Sequence, residues 1–251
     1  MNEKKVLLVT GASSDVGYTL IRNVYRDYDR IWAHYNNSDA IVNDLARQCE
    51  NVVIPIQADF GDLESTRKLI DAINDTDDIP NHVVHLSAPK AKNLQFHKCG
   101  WDDYQNGIDT SLRSIVMILQ AFIPIMAKKK YGKVVFMLSA YVIGVPPKFQ
   151  SPYITVKYAL MGLMRNLAAE YAGKGISVNS VSPDMMETKF LSDLPGLIIE
   201  QNRKNNPLGR NITIEEIVPS IKYLLSDGSA VVTGQNIGIT GGVEFNVGVV
   251  R

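Results

Sequence analysis

From Lys5 to Thr240 the chain alternates short β-rich runs with longer helical patterns, and this alternation restricts the fold more than any other feature. The β-rich runs fall near Lys5–Thr10, Arg30–Tyr35, Val52–Gln57, Val83–Leu86, Lys133–Ser139, Ser177–Ser182 and Asn236–Thr240. Helical patterns occupy Gly17–Tyr28, Ser38–Arg47, Leu63–Asn74, Tyr104–Lys128, Pro152–Ala172 and Thr213–Ser226. Strands separated by helices pair through crossovers, which predicts a parallel sheet with helices on both faces. Val6-Leu7-Leu8-Val9 and Val134-Val135-Phe136-Met137-Leu138 are continuously apolar, as strands buried on both faces require. Thr213-x-x-Glu216 predicts a capping box on the last helix, and Gly173 and Gly175 the end of the helix before it. No repeat or linker divides the chain, so residues 1–251 are expected to form one doubly wound α/β domain around a seven-stranded parallel sheet. Residues 184–211 carry no periodic pattern. A connection that long in a compact domain is usually functional, so this stretch is expected to cover substrate.

Composition narrows the partners. Lys and Arg (26) balance Asp and Glu (26), so no global field recruits nucleic acid or an anionic membrane. Apolar residues are 45% of the 251, enough to bury a full core. Cys49 and Cys99 form no metal-spaced cluster and no disulfide framework, which points to free thiols in a reducing compartment. The apolar run at the start, Val6 to Val9, is too short for a signal segment or a membrane span, so a cytoplasmic location is expected. His34, His82, His85 and His97 lack metal-ligand spacing and are read as structural, with no metal site expected. The run Lys128-Lys129-Lys130 with Lys133 reads as a solvated helix end, or as a surface for an acidic carrier protein.

Thr10-Gly11-Ala12-Ser13-Ser14-Asp15-Val16-Gly17 follows the first strand and opens the first helix. Gly11 permits a tight turn, and a helix start offers free N–H groups and a positive dipole end to a pyrophosphate. A plain turn with an N-cap serine reads the same way, but its place after the N-terminal strand favours nucleotide binding. Cofactor choice lies at the end of the second strand, where an acid holds the NAD ribose and a base accepts the NADP phosphate. Tyr35-Asn36-Asn37-Ser38 supplies neither. With no carboxylate to repel the phosphate, NADP(H) is favoured and NAD(H) is the alternative. Asp59, after the third strand, is a candidate partner for the adenine amino group, or a plain turn carboxylate.

Tyr153 and Lys157 lie four apart in a helix beginning near Ser151-Pro152, so phenol and ammonium share one face. A phenol of ordinary pKa, about 10, is a poor base at neutral pH, and a nearby ammonium is expected to lower it. Ser139 ends a buried strand at the edge where open α/β sheets bind ligands, and can hold a carbonyl oxygen.

Together these features resemble the short-chain dehydrogenase/reductase family over nearly the whole chain. The matching residues are the Thr10–Gly17 turn, Asp59, Ser139, Tyr153-x-x-x-Lys157, Val178-Asn179-Ser180-Val181-Ser182-Pro183, Thr188 and Thr233-Gly234-Gln235 to Gly241-Gly242. Pro207-Leu208-Gly209-Arg210 with Glu215-Glu216-Ile217 is most similar to the 3-oxoacyl-(acyl-carrier-protein) reductase branch. The three-residue gap between Tyr153 and Lys157 argues against the enoyl reductases of the wider family, and the short C-terminal portion against the sugar epimerases. The resemblance implies a Rossmann-type fold and hydride transfer between NAD(P)(H) and a small-molecule or carrier-bound carbonyl or alcohol. Tyr153 is then the acid/base, Ser139 the substrate-orienting hydroxyl, and Lys157 both pKa modulator and ribose ligand. Cofactor contacts are expected from Gly11, Ser13, Ser14, Val16, Gly17, Asn36, Asn37, Ser38, Asp59, Phe60, Ser87, Ala88, Pro183 and Thr188, besides Tyr153 and Lys157. Met185, Met186, Phe190, Leu191, Leu194, Leu197, Ile198 and Ile199 make the covering segment apolar, as a hydrophobic substrate or a neighbouring subunit requires. Tyr141, Val142, Ile143 and Phe149 are expected pocket walls. The family commonly forms homotetramers, so a tetramer or dimer is implied.

Four positions depart from the family. Asp15 stands for the second glycine of the turn, Leu86-Ser87-Ala88-Pro89 for Asn-Asn-Ala-Gly, Ser111 for the fourth catalytic residue, an Asn, and Asp184 for a glycine at the mouth of the site. Ser111 is expected to serve the proton relay through one more water, and the Pro89 loop to run differently, since proline has no N–H to donate. These departures also admit a second reading: a nicotinamide-binding scaffold or regulator with little turnover.

Overall fold

In the computed structural model, which describes residues 4–186, 188 and 196–243, seven strands form one sheet. The strands are β1 (Val6–Thr10), β2 (Arg30–Tyr35), β3 (Val53–Gln57), β4 (His82–His85), β5 (Gly132–Met137), β6 (Ile176–Pro183) and β7 (Asn236–Ile239). The helices that connect them are α1 (Asp15–Val24), α2 (Asp39–Gln48), α3 (Leu63–Asn74), α4 (Trp101–Gly107), α5 (Ser114–Lys129), α6 (Ser151–Tyr171), α7 (Gly196–Asn205) and α8 (Ile214–Leu225). The order is β3-β2-β1-β4-β5-β6-β7, and each neighbouring pair runs parallel. The chain winds outward from β1 to β3, returns to place β4 on the other side of β1, and winds outward again. That reversal leaves a crevice beyond the C-terminal ends of β1 and β4, where ligands bind in open α/β sheets.

Every residue of β1, β4, β5 and β6 is buried. One apolar layer joins Leu8, Val83, Val134 and Val178 to Ile115, Phe122 and Leu160 of α5 and α6. The other joins Leu7, Val9, Val135 and Val181 to Leu20, Ile21, Ile217 and Ile221 of α1 and α8. The continuous helix Trp101–Lys129 is long and apolar enough to cross a membrane, but Ile115, Ile118, Phe122 and Met126 on it are core residues. One domain of the expected Rossmann type results.

The Thr213 and Gly175 signals act as read, whereas Gly173 lies inside the short 3-10 turn Ala172–Lys174 without left-handed backbone. Thr213 N–H donates to the Glu216 carboxylate (2.9 Å) at the start of α8. Gly175 takes φ 72°, and a Cβ there would lie 2.1 Å from the Lys130 carbonyl oxygen, so glycine is required. Two other expectations need correction. Residues 184–211 are not wholly irregular, because Gly196–Asn205 is helix α7. No residue of α7 is fully buried, so it lacks the apolar stripe by which helices are recognised. The stretch Tyr104–Lys128 is not one uniform α-helix either: Ile108–Arg113 opens into π-helical turns. Phe190, Leu191 and Leu194 lie outside the described residues.

Candidate active site

The C-terminal edge of the sheet opens on a cleft with about 380 Å³ of space. Ser13, Ser14, Asp15 and Val16 line it after β1, Ser38 and Ile41 after β2, and Leu86, Ala88, Lys90 and Ala91 after β4. Met137, Leu138, Ser139 and Tyr141 come from β5 and its continuation, Pro183 to Met186 and Thr188 from β6, and Gln150, Tyr153 and Lys157 from the start of α6.

At one end lies the glycine turn. Gly11 has φ 70°, the left-handed conformation that favours glycine. Ser14 caps α1, its Oγ accepting from Gly17 N–H (3.1 Å). Asp15 therefore does not cap the helix but opens it, and lines the cleft. A Cβ on Gly17 would fall 2.6 Å from the Gly11 carbonyl oxygen and 2.7 Å from Ala12 Cα, both backbone atoms. Gly17→Ala must therefore displace the turn. The expected result is a loss of about 2 kcal/mol of stability and a cofactor Kd raised about tenfold or more, read by denaturant unfolding and fluorescence titration. Buried His34 braces the same turn: Gly11 N–H donates to His34 Nδ1 (3.0 Å), and His34 Nε2–H donates to the Ala58 carbonyl (3.1 Å).

At the other end Ser139, Tyr153 and Lys157 meet. The Ser139 hydroxyl stands by the Tyr153 phenol and acts to lower its pKa, and Tyr141 N–H donates to Ser139 Oγ (3.3 Å). Lys157 Nζ lies 5.4 Å from the centroid of the Tyr153 ring and donates to the Met137 carbonyl (2.8 Å). The expected lowering of the Tyr153 pKa by Lys157 is corrected by this geometry. Removal of the phenol from water pushes its pKa up, and the Ser139 hydroxyl only partly offsets this. Burial also lowers the Lys157 ammonium to about 8. At neutral pH Tyr153 is a protonated phenol, an acid ready to give its proton to an oxygen in the cleft.

Ser111 stands in the π-helical turns, 1% exposed, its Oγ without a hydrogen-bond partner. It lines a second cavity of about 40 Å³ with Asn106, Tyr153, Val156 and Lys157. A space of that size accommodates a water molecule, as the expected relay through Ser111 requires. The widened turns are held by buried His85. Its Nε2–H donates to the Ser111 carbonyl (2.8 Å), so Nδ1 accepts from the Thr10 hydroxyl (2.8 Å).

Other expected cofactor residues are placed less directly. Asn36 and Asn37, just before Ser38, are exposed and do not line the cleft. Asp59 Oδ1 accepts from Gly61 N–H (2.8 Å), the turn role that was its alternative reading. Phe60 is corrected as a side-chain contact: its ring is 2% exposed, stacked on His34 with centroids 3.8 Å apart, and its carbonyl accepts from Arg113. Ser87 Oγ is buried and unpaired, 3.3 Å from where a Cβ on Gly11 would lie. Pro89 is followed by residues 90–95 without regular structure, tied back by Leu94 N–H to the Phe149 carbonyl (2.8 Å). Ile41, Lys90, Met137 and Gln150 line the cleft without having been singled out in the sequence. Nothing local marks Ile41 or Gln150, whereas Lys90 was findable as the cation following the altered Leu86–Pro89 stretch.

The sequence model of the family described as enoyl-(acyl carrier protein) reductase matches residues 11–244. The chain belongs to the short-chain dehydrogenase/reductase family of NAD(P)-dependent oxidoreductases. Among relatives, it is 28% identical to a 3-oxoacyl-(acyl-carrier-protein) reductase of Thermotoga maritima over 96% of this chain and 98% of that one. It is 27% identical to a reductase of the same name from Staphylococcus aureus, over 97% and 99%. The fold matches a gluconate 5-dehydrogenase of Burkholderia cenocepacia solved with NADP and tartrate, with TM-score 0.88, 22% identity and coverage of 97% and 96%. It also matches a 3-oxoacyl-(acyl-carrier-protein) reductase of Brucella melitensis solved with NAD, with TM-score 0.83, 24% identity and coverage of 96% and 91%.

Proposed function

We propose that this protein reduces the carbonyl of a small-molecule or carrier-bound substrate of the 3-oxoacyl type, using NADP(H) in preference to NAD(H). The observation that carries this reading is the convergence of Ser139, Tyr153 and Lys157 in one cleft with the glycine turn. The residues present suit a dinucleotide. The start of α1 offers backbone donors and a positive dipole end to a pyrophosphate, and the cleft runs unbroken from Ser13 and Val16 to Lys157 and Thr188. Ser13, Ser14 and Val16 would hold the phosphates, Ser38 the adenosine ribose, and Lys157 and Thr188 the nicotinamide end. When bound, the nicotinamide supplies the hydride for the carbonyl carbon.

The chain's own groups do the rest. Ser139 and Tyr153 bind the carbonyl oxygen, and Tyr153 gives it a proton as negative charge develops there. Buried Lys157 and Ser111, on the small cavity behind the phenol, return a proton through water. Met185 and Met186 give an acyl chain an apolar wall. Exposed Trp101 and Tyr158, on α4 and α6, suit contact with further copies of the chain, and free Cys49 and Cys99 suit the reducing cytoplasm.

A cofactor-binding scaffold with little turnover is the second reading, favoured by the Asp15 carboxylate in the cleft wall. Asp39 also opens α2 one residue after Ser38, so the two cofactors need direct comparison. Fluorescence titration should show NADPH binding at least about fivefold tighter than NADH. Equal affinities would remove the NADP preference, and no binding of either would end both readings. Binding without turnover across a panel of 3-oxo esters and thioesters would favour the scaffold.

A further inference from the structure

We infer that Asp184 is a positioning residue, the buried post on which helix α7 and the Met185–Met186 wall of the cleft are mounted. The inference rests on the proposed carbonyl reduction only for its kinetic test.

Asp184 is the first residue after β6. It is 5% exposed, lines the cleft, and its N–H donates to the Ile239 carbonyl (3.0 Å), so its backbone is fixed to β7. Its Oδ2 accepts from two side-chain amides of the α7 region, Asn202 Nδ2 (3.2 Å) and Asn206 Nδ2 (3.1 Å). Both amides are tied further. Asn202 also donates to Asn211 Oδ1 (3.2 Å), and Asn206 to the Thr240 carbonyl (3.0 Å). Asn206 Oδ1 in turn accepts from Leu208 N–H (3.0 Å). One carboxylate oxygen thus joins β6, the end of α7 and the residue after β7.

The alternative support for α7 is apolar packing, and the helix has little of it. None of its residues is fully buried, and Leu197 is 69% exposed. Hydrogen bonds to an ionised acceptor are stronger than neutral ones, and more so away from water. The position of α7 therefore follows the Asp184 carboxylate. The residues next to it follow as well. Ile212 N–H donates to the Met185 carbonyl (3.2 Å), and Met186 and Ile212 form a parallel bridge. Loosening the post frees the apolar wall on the substrate side, while Ser139 and Tyr153, on the continuation of β5 and the start of α6, keep their places.

Hydrogen–deuterium exchange on Asp184→Gly and on Asn202→Ala, which removes one amide from the other side, tests the assignment without any substrate. Amides of residues 198–206 should exchange about tenfold faster in each variant, with those of β1, β4 and β5 unchanged. Asp184→Asn keeps a carbonyl acceptor at the same place and should restore part of the protection. In turnover of a 3-oxo ester, Asp184→Gly should raise KM about tenfold and lower kcat less than about threefold. Unchanged exchange in 198–206 for both Asp184→Gly and Asn202→Ala would overturn the proposal. So would kcat falling about tenfold or more at constant KM, which would place Asp184 in the chemistry. If no carbonyl is reduced by the wild type, the proposed function fails, and the exchange result still decides the role of Asp184.

Discussion

Tyr153→Phe should lower kcat by about 10²–10⁴-fold, the usual contribution of a positioned acid or base, while the cofactor Kd changes less than about twofold. The substitution removes one oxygen from a partly buried ring and leaves its packing. Lost with it is the proton for the carbonyl oxygen. Because burial pushes the phenol pKa up, the group is protonated across the neutral range and acts in the reducing direction without a preceding proton uptake. Lys157, held at about 8 by burial, is the neighbouring group that titrates near neutrality. Steady-state kinetics and a fluorescence titration on the same preparations check both halves. If Tyr153→Phe reduces carbonyls at the wild-type rate, the assigned acid is wrong.

The second large effect is acid lability. Buried His34 has its pKa lowered to about 4, and His82 and His85 theirs to about 3, in each case chiefly by loss of water around the ring. Their hydrogen bonds agree with the neutral form. Gly11 N–H donates to His34 Nδ1, and the Thr10 hydroxyl donates to His85 Nδ1, so a proton on either nitrogen would displace a donor. The unfolded chain takes up these protons near pH 6.5, well above the folded protein. Stability is therefore complete above about pH 6.5 and falls as pH drops towards 3–4, where the folded groups titrate. By roughly pH 5 each histidine removes about 2 kcal/mol, and the three together a large part of the stability of an ordinary domain. Denaturant unfolding between pH 7 and 4.5 should show this slope, and His82→Gln should flatten it by about one proton. A curve flat through that range would show that the histidines are charged in the folded state.

Much of this was legible in the sequence because it rests on local pattern. The seven strands read from β-rich runs are the seven observed, and β1 and β5, buried throughout, carry the continuous apolar signature of strands covered on both faces. Ser139, Tyr153 and Lys157 were legible because one sits at a strand end and two share a helix face. Helix α7 was not, because its docking depends on Asp184, Asn202 and Asn206, polar residues that suggest a loop when read alone. The π-helical turns around Ser111 were not legible either. Their support, the bond from His85 Nε2–H to the Ser111 carbonyl, joins residues 26 apart in the chain. The resemblance puts Phe60 on the cofactor, and only the fold shows its ring stacked on His34. The Tyr153 pKa was misjudged for a related reason. Spacing four apart put Lys157 beside the phenol, but only the structure shows the ammonium bonded to the Met137 carbonyl.

The central claim is that this cleft passes a hydride from a nicotinamide to a carbonyl carbon while Tyr153 protonates the oxygen. Its most direct measurement is label transfer from NADPH deuterated at the nicotinamide C4 to a panel of 3-oxo esters and thioesters, with wild type and Tyr153→Phe run side by side. The account predicts deuterium on the carbinol carbon of at least one product with the wild type, and little or none with Tyr153→Phe over the same time. Cofactor bound by the wild type with no label transferred to any product would contradict it.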